Sequence, residues 1–349
     1  MDRPAKRTRS RLLHDPESLA DRDRGPDSSA CHIVQGDCRH ALKDHADETF
    51  HCCVTSPPYW GMRDYNADAQ IGAEDSLESY VDNLVAVFRE VRRTLRSDGT
   101  LWLNMGDSFT SGGRTTRAKD RKNAGREMTY RPATPAGLKA KDLIGLPWRV
   151  ALALQADGWY LRSDIIWAKP NCQPESVRDR PTRAHEYVFM LSKSATYYYD
   201  HEAAREPAAD GSTRNRRTVW SINTKPYAGA HFATFPTELV DRCLEAGAPP
   251  GAVVLDPFCG SGTVGVACRR LGHSFVGVEL NPEYVALARE RIDNDGATRG
   301  VSSATKEGSA VHTTDRQEVA VTSAGPSRPA ARRSKRAMPE EDNEADGSE

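Results

Sequence analysis

An α/β fold built on a parallel, doubly wound sheet is what this sequence predicts, on three observations. Between Ala252 and Ile292 the chain alternates strand, helix, strand, helix, and such alternation pairs the strands in parallel with the helices packed on the sheet. A long amphipathic helix, Ser76 to Arg96, separates two further strands in the N-terminal half. The clearest strands end in turns rich in Gly, Pro or Asp, at the edge where doubly wound sheets hold their ligands.

The elements follow in order. His32-Ile33-Val34 is a short strand ending at Gly36-Asp37, and Phe50 to Thr55 is a second, bounded by Ser56-Pro57-Pro58. Ser76 to Arg96 is helical because Leu77, Tyr80, Val81, Leu84, Phe88, Val91 and Leu95 fall on one face. Ser97-Asp98-Gly99 ends that helix, and Thr100 to Asn104 is the next strand. Leu146 to Asp157 is a helix stopped by Gly158, and Tyr160 to Lys169 is a strand reaching Pro170. Glu186 to Ser192 is a strand, with Ala195 to Tyr199 as its expected hairpin partner. Ala252 to Leu255 is a buried strand, and the helix Thr263 to Leu271 is stopped by Gly272. Ser274 to Val278 is a strand ending at Glu279, after which Asn281 caps the last helix with Pro282 in its first turn.

The ends of the chain read differently. Residues 1–30 are polar, with a basic cluster at the start, and residues 294–349 hold no aromatic residue and no periodic apolar pattern. Neither segment buries enough surface to offset ordering entropy, so both are expected to be disordered, leaving residues 31–293 as the catalytic domain. The chain's net charge is −1, so charge location matters more than its sum. The insertion 111–141 is basic: Arg114, Arg117, Lys119, Arg121, Lys122, Arg126, Arg131, Lys139 and Lys141 are opposed only by Asp120 and Glu127. The eight cysteines form no CxxC pair, so no metal is implied. No long apolar run suggests a membrane, and reduced cysteines fit a cytoplasmic protein.

Gly260, Gly262 and Gly265 form a GxGxxG on a strand-to-helix turn, and Glu279 ends the following strand. Glycines let the backbone approach a ligand closely, and a carboxylate at that strand end accepts hydrogen bonds from ribose hydroxyls. This much suits a nicotinamide dehydrogenase too. Asp256, however, places an anion just ahead of the glycines, where a pyrophosphate is disfavoured and an ammonium with a sulfonium is favoured. S-adenosyl-L-methionine has those groups. The second candidate site is Thr55-Ser56-Pro57-Pro58-Tyr59-Trp60. Two prolines fix φ and leave rigid carbonyl acceptors, and Tyr59 offers a face on which a flipped base stacks. An exocyclic amino group needs acceptors on its N–H bonds before its delocalised lone pair becomes nucleophilic. Cys52 and Cys53 lie within the strand rather than in a Pro-Cys context, so packing is their expected role. His185 is expected to be structural.

Ser56-Pro57-Pro58-Tyr59 together with the run from Asp256 to Thr263 resembles the amino-methylating DNA methyltransferases, and the catalytic motif precedes the cofactor motif as in their beta class. The resemblance runs from Val34 to Ile292. It implies a Rossmann-like S-adenosylmethionine-dependent methyltransferase fold with permuted motif order: a mixed, mostly parallel sheet of about seven strands with helices on both faces. It also implies that Asp37 lies near the cofactor adenine, and that His231 and Phe235 lie beside its methionine end, joining Asp256, Phe258, Gly260, Gly262, Thr263 and Glu279. Asn104 to Ser108, Ile165 to Asn171 and Asp179 to Glu186 resemble internal blocks of the family. Ser56 resembles the cytosine-N4 subgroup, and Ser56, Pro57, Pro58 and Tyr59 are the expected catalytic set. The partner implied is double-stranded DNA, gripped by Arg114, Arg117, Lys119, Arg121, Lys122 and Arg126, with residues 200–219 as a short recognition segment; a homodimer and a cognate restriction endonuclease stay open. The rivals are N6-adenine methylation, protein glutamine methylation and an inactive DNA-binding module.

Overall fold

The computed structural model describes residues 30–63, 70–112, 114, 116, 131–225 and 235–304, with side chains as far as Asp295. The expected N-terminal arm, the tail beyond residue 304, His231, and Arg117, Lys119, Arg121, Lys122 and Arg126 lie outside the described residues.

Eight strands form the main sheet: β1 (Cys31–Gln35), β2 (Phe50–Thr55), β3 (Leu95–Met105), β4 (Tyr160–Ala168), β5 (His185–Ser192), β8 (Val219–Ser221), β9 (Val253–Asp256) and β10 (Ser274–Glu279). A small hairpin, β6 (Arg205–Pro207) with β7 (Thr213–Asn215), occupies the expected recognition segment. The sheet order is β1-β10-β9-β2-β3-β5-β4-β8. Only β5 runs antiparallel to its neighbours, so the sheet is mixed and mostly parallel. From β9 the chain winds outward through β10, and from β2 it winds the other way through β3. The β9–β2 seam is therefore the topological switch point, where open α/β sheets form their ligand crevice. Two pairs, Cys52↔Val254 and Cys53↔Leu255, register that seam.

Side chains of successive strand residues go to opposite faces, and the core is accordingly double. Cys52, Val54, Trp102, Val188 and Met190 pack under α4 (Thr237–Gly247), α5 (Thr263–Leu271) and α6 (Pro282–Ala304). Cys53, Leu101, Leu103, Phe189 and Leu191 pack under α2 (Leu77–Thr94) and α3 (Leu146–Ala156), with the short α1 (Cys38–Ala41) alongside. Each Leu or Phe so buried contributes about 1.5–3 kcal/mol. Cys52 and Cys53 are fully buried, one on each face, and burial pushes the Cys52 thiol up to about 12 and that of Cys53 well above the usual range. Neither is a nucleophile.

Four expectations are corrected. α2 starts as expected, with Ser76 Oγ accepting from Ser79 N at 3.1 Å, but stops at Thr94. Leu95 already pairs with Phe50, so β3 begins five residues before the expected Thr100. Leu95 is buried in the same cluster whether helical or extended, so periodicity could not place the boundary. Ala195 to Tyr199 is not a hairpin strand, because both edges of β5 are taken by β3 and β4. Helix α4 and the short β8 were not anticipated. Finally, α6 continues past residue 293 to Ala304. Val285, Ala288 and Ile292 anchor it in the core, and a nucleated helix extends at little further cost. Among the described residues no helix is long and apolar enough to cross a membrane.

Candidate active site

Of the expected cofactor residues, Asp37, Asp256, Phe258, Gly260, Gly262, Thr263 and Glu279 gather at the carboxyl ends of β1, β10 and β9. Gly262 caps α5 in the left-handed conformation at φ 77°, and Gly260 also has positive φ, 51°. Gly265 serves packing: a Cβ there would lie 2.3 Å from Ile292 Cδ1 and 2.9 Å from the Phe275 ring. Glu279 ties the loop to β10, its two oxygens accepting from Gly260 N at 2.8 Å and Asn281 N at 2.9 Å. Each oxygen keeps a lone-pair direction for a further donor. Asp256 accepts from Thr55 Oγ1 at 2.6 Å and Phe258 N at 3.0 Å, which stitches the switch-point seam.

Burial pushes Asp256 up to about 7, with the nearby Glu279 charge adding to it and the Thr55 and Phe258 hydrogen bonds opposing it. Burial also raises Glu279, and no cation among the described residues contributes to either shift. A buried and a half-buried carboxylate short of positive charge fit a cationic ligand, as S-adenosylmethionine is at its ammonium and sulfonium. Thr263, buried, accepts from Arg291 Nη1 at 3.2 Å, and Phe258 is half-buried against the α2 face. Phe235 lines a small pocket with Thr55, Asn104 and Leu239. Asp37 stands next to this row, since Gly36 N donates to Glu279 O at 2.9 Å. Its carboxylate caps α1 and is clamped by Arg39 at 2.5 Å; burial alone would raise it, but the Arg39 hydrogen bonds hold it below the usual carboxylate range.

The catalytic loop leaves β2 on the other side of the seam. Tyr80 Oη donates to Pro58 O at 2.9 Å, so of the two proline carbonyls expected as acceptors this one is committed to the fold. No hydrogen bond from the described residues reaches the Pro57 carbonyl. Trp60 Nε1 donates to Glu74 O at 2.8 Å, strapping the loop down. Tyr59 rests on Gly106, where a Cβ would come within 2.8 Å of the ring.

Behind Ser56 runs a chain that sequence reasoning missed. Ser56 Oγ lies 3.3 Å from Tyr59 Oη, Tyr59 Oη donates to Glu186 Oε2 at 3.0 Å, and Lys169 Nζ donates to Glu186 Oε1. Lys169 also sits 4.0 Å over the Trp167 ring. Burial of the Tyr59 hydroxyl, with Glu186 next to it, pushes its pKa well above the usual range, so it stays protonated. Tyr59 has one proton and gives it to Glu186; its oxygen is then the acceptor for the Ser56 proton. Ser56 Oγ is left presenting lone pairs outward. The signal for this chain lay in the family-like blocks Ile165 to Asn171 and Asp179 to Glu186, within which Lys169 and Glu186 carried no motif of their own. His185 packs edge-on against Tyr187 at 5.4 Å, as a structural histidine would.

Of the expected DNA-binding set only Arg114 is described, donating from Nε to Ser111 O at 3.3 Å. Lys139 and Lys141, at the end of the basic stretch, are paired with Asp142 and Asp179.

Comparison with known proteins supplies the family. A family model described as DNA methylase matches residues 50–290. The chain is 63% identical over 265 residues to the type II methyltransferase M.SmaI of Serratia marcescens, covering 75% of this chain and 91% of the relative. It is 59% identical over 263 residues to the type II methyltransferase M.Cfr9I of Citrobacter freundii, covering 75% and 88%. Among solved structures, a protein of Thermus thermophilus classed as a candidate DNA modification methylase, in complex with S-adenosyl-L-methionine, is 28% identical with a TM-score of 0.55, over 76% of this chain and 94% of that one.

Proposed function

Since this chain belongs to the DNA methylase family and is an S-adenosylmethionine-dependent DNA amino-methyltransferase of restriction-modification type, we propose that its target is the exocyclic N4 of cytosine in double-stranded DNA. The observation that carries the reading is the hydrogen-bond chain Lys169–Glu186–Tyr59–Ser56. It leaves Ser56 as a neutral acceptor. Ser56 Oγ and the Pro57 carbonyl each accept an amino N–H of a flipped base, which turns the nitrogen lone pair out of the ring. S-adenosylmethionine, once bound, supplies an electrophilic methyl group. Asp256 and Glu279 would hold its positive and ribose ends, with Asp37, Phe258, Gly260, Gly262, Thr263 and Phe235 nearby; His231, expected beside its methionine end, lies outside the described residues. Tyr59 supports the base, and water takes the surplus amino proton after transfer.

Preference for cytosine over adenine rests on the Thr55-Ser56-Pro57-Pro58-Tyr59 run, where many adenine enzymes carry Asp at the position of Ser56. A carboxylate there would hold an amino proton more strongly than a hydroxyl does. Digestion of methylated DNA to nucleosides, followed by chromatographic separation and mass measurement, tests the proposal. N4-methyldeoxycytidine is expected. N6-methyldeoxyadenosine alone would overturn the base assignment, and 5-methyldeoxycytidine would overturn the role of Ser56. The same reading sets the enzyme in the cytoplasm beside a cognate restriction endonuclease, and light scattering distinguishes a homodimer from a monomer.

A further inference from the structure

Next to the catalytic loop is a second feature that the reaction does not use. Trp60 and Gly61, the run Ser108–Ser111 with its three hydroxyls, and the segment from Arg131 to Pro135 line a solvent-open cleft. Among the described residues, Arg131 Nε is buried there without a hydrogen-bond partner, and so is Ser111 Oγ. Among the described residues no carboxylate pairs with Arg131, nor with Arg114, whose charge is close enough to act on Arg131. Asp107, in the same loop, is committed to the backbone N–H groups of Gly145 and Leu146 at 3.1 and 3.0 Å. A guanidinium nitrogen withdrawn from water with no acceptor among the described residues, beside a second guanidinium, is a donor that an anion would complete. Burial, with Arg114 adding to it, accordingly lowers the pKa of Arg131.

The donors specify the anion. A planar fork of N–H groups with a hydroxyl beside it matches a group with two tetrahedrally placed oxygens better than a single carbonyl. The cleft is also mechanically part of the catalytic loop: a Cβ on Gly61, which has φ +62°, would lie 2.9 Å from Pro132 Cδ. An anion held by Arg131 is therefore held at a fixed place relative to Ser56.

We propose that Arg131, with Ser111 and Arg114, seats one phosphodiester of the strand that carries the target base, fixing the register in which that base enters the site. The proposal rests on the reading of the chain as a DNA methyltransferase. Its role is positioning, since Arg131 touches neither the methyl group nor the amino nitrogen.

A chemical double-mutant cycle tests it. Duplexes are made with a single neutral methylphosphonate at each position around the target base, and single-turnover methyl transfer is measured with the wild type, Arg131→Ala and Arg131→Lys. One position should slow the wild type roughly tenfold, the size of one charge-assisted contact, and be silent in Arg131→Ala. Arg131→Lys keeps the charge without the fork and should recover part of the effect. The salt dependence of DNA binding by Arg131→Ala should fall by about one unit of slope. If every position that matters in the wild type matters equally in Arg131→Ala, the seat is elsewhere. Should Arg131→Ala fold poorly, Arg131→Gln replaces it, and the rise in Tm with added sulfate supplies a second reading: a rise as large in the variant as in the wild type overturns the proposal. A wild type that methylates no DNA at all would remove the methyltransferase reading along with the seat.

Discussion

The two halves of the site are unbalanced in opposite senses. On the β9–β10 side, Asp256 is a buried and Glu279 a half-buried carboxylate, with no cation on them among the described residues. On the catalytic-loop side, Arg131 is a half-buried guanidinium with no anion on it among the described residues. Each half lacks the charge its own ligand carries: a sulfonium and ammonium for one, a phosphate for the other. Between them Ser56 and the Pro57 carbonyl are neutral acceptors for a neutral amino group. Binding in such a molecule completes an electrostatic arrangement that folding alone leaves open, and each half should answer to its own perturbation.

The largest effect should come from the neutral centre. Ser56→Ala removes an acceptor made for the reacting nitrogen, and single-turnover rates should fall by about 10²–10³-fold, the usual loss for one preorganised hydrogen-bonding group. Affinity for S-adenosylmethionine should stay within about twofold by calorimetry, because the hydroxyl lies across the seam from the cofactor loop. A variant that keeps its rate but loses the cofactor would exchange the roles of the two halves.

Next comes the acidic half. Glu279→Ala should weaken S-adenosylmethionine by about 10–100-fold, since hydrogen bonds to charged groups contribute roughly 1.5–3 kcal/mol, with the single-turnover rate at saturation little changed. Asp256 adds a pH signature. With its carboxyl at about 7, it is protonated below that pH, and a cationic ligand favours its ionised form. Cofactor affinity should rise about tenfold per unit up to pH 7 and level off above, and Asp256→Asn should flatten the curve. Stability of the free protein runs the other way. A folded pKa of about 7 against an ordinary 3.8 means that the folded state binds more protons between those values, so this group's contribution falls as pH rises across that window. A pH-independent affinity in the wild type would separate Asp256 from the cofactor.

A smaller effect is expected from the relay behind Ser56. Glu186→Gln exchanges an acceptor-only carboxylate for an amide able to donate, so the Ser56 proton is no longer turned inward. The rate constant should drop about tenfold, the scale of a single reoriented hydrogen bond, while KM for DNA and cofactor affinity hold. Tyr59→Phe should copy the loss, and Glu186→Gln should add little to it, as members of one network do. Independent, multiplying losses would break the relay. The smallest functional effect belongs to Gly265→Ala. Its methyl would meet Ile292 and Phe275, costing about 1–3 kcal/mol of stability with the rate at saturating cofactor preserved. A thermal scan beside a turnover assay checks it.

How much of this was legible in the sequence follows the same division. The cofactor half is local: strand, turn, helix, strand and cap occupy consecutive residues from Val253 to Pro282, and each carries its own signal in Gly, Asn or Pro. Every element there fell within a residue of where the pattern put it, β9 starting at Val253 rather than Ala252. The catalytic half is assembled from distant segments. The contact between Tyr59 and Glu186 joins residues separated by 127 positions, and no periodicity reports such a meeting. Leu95 satisfies the same cluster as helix or strand, so only its pairing with Phe50 decided its state. The hairpin expected after Ser192 failed because sequence gives a strand's propensity and not which edges are already filled. Helix α4 was readable in hindsight, with Leu239, Val240, Cys243 and Leu244 on one buried face. Arg131 was visible only as one charge in a basic run; its burial and lack of a partner belong to the folded chain alone.

The seam between β9 and β2 has a consequence for chain order. Thr55 and Asp256 meet at 2.6 Å although 201 positions separate them, and the strands on either side of the crevice share no covalent connection near it. Chemistry performed there is indifferent to which half of the chain is translated first. A gene in which the β9–α6 segment came first and the β2–β5 segment followed would present the same carboxylates to the same hydroxyls. The order of these blocks along the chain is therefore not dictated by the chemistry of the crevice, whereas the neighbours across the seam are.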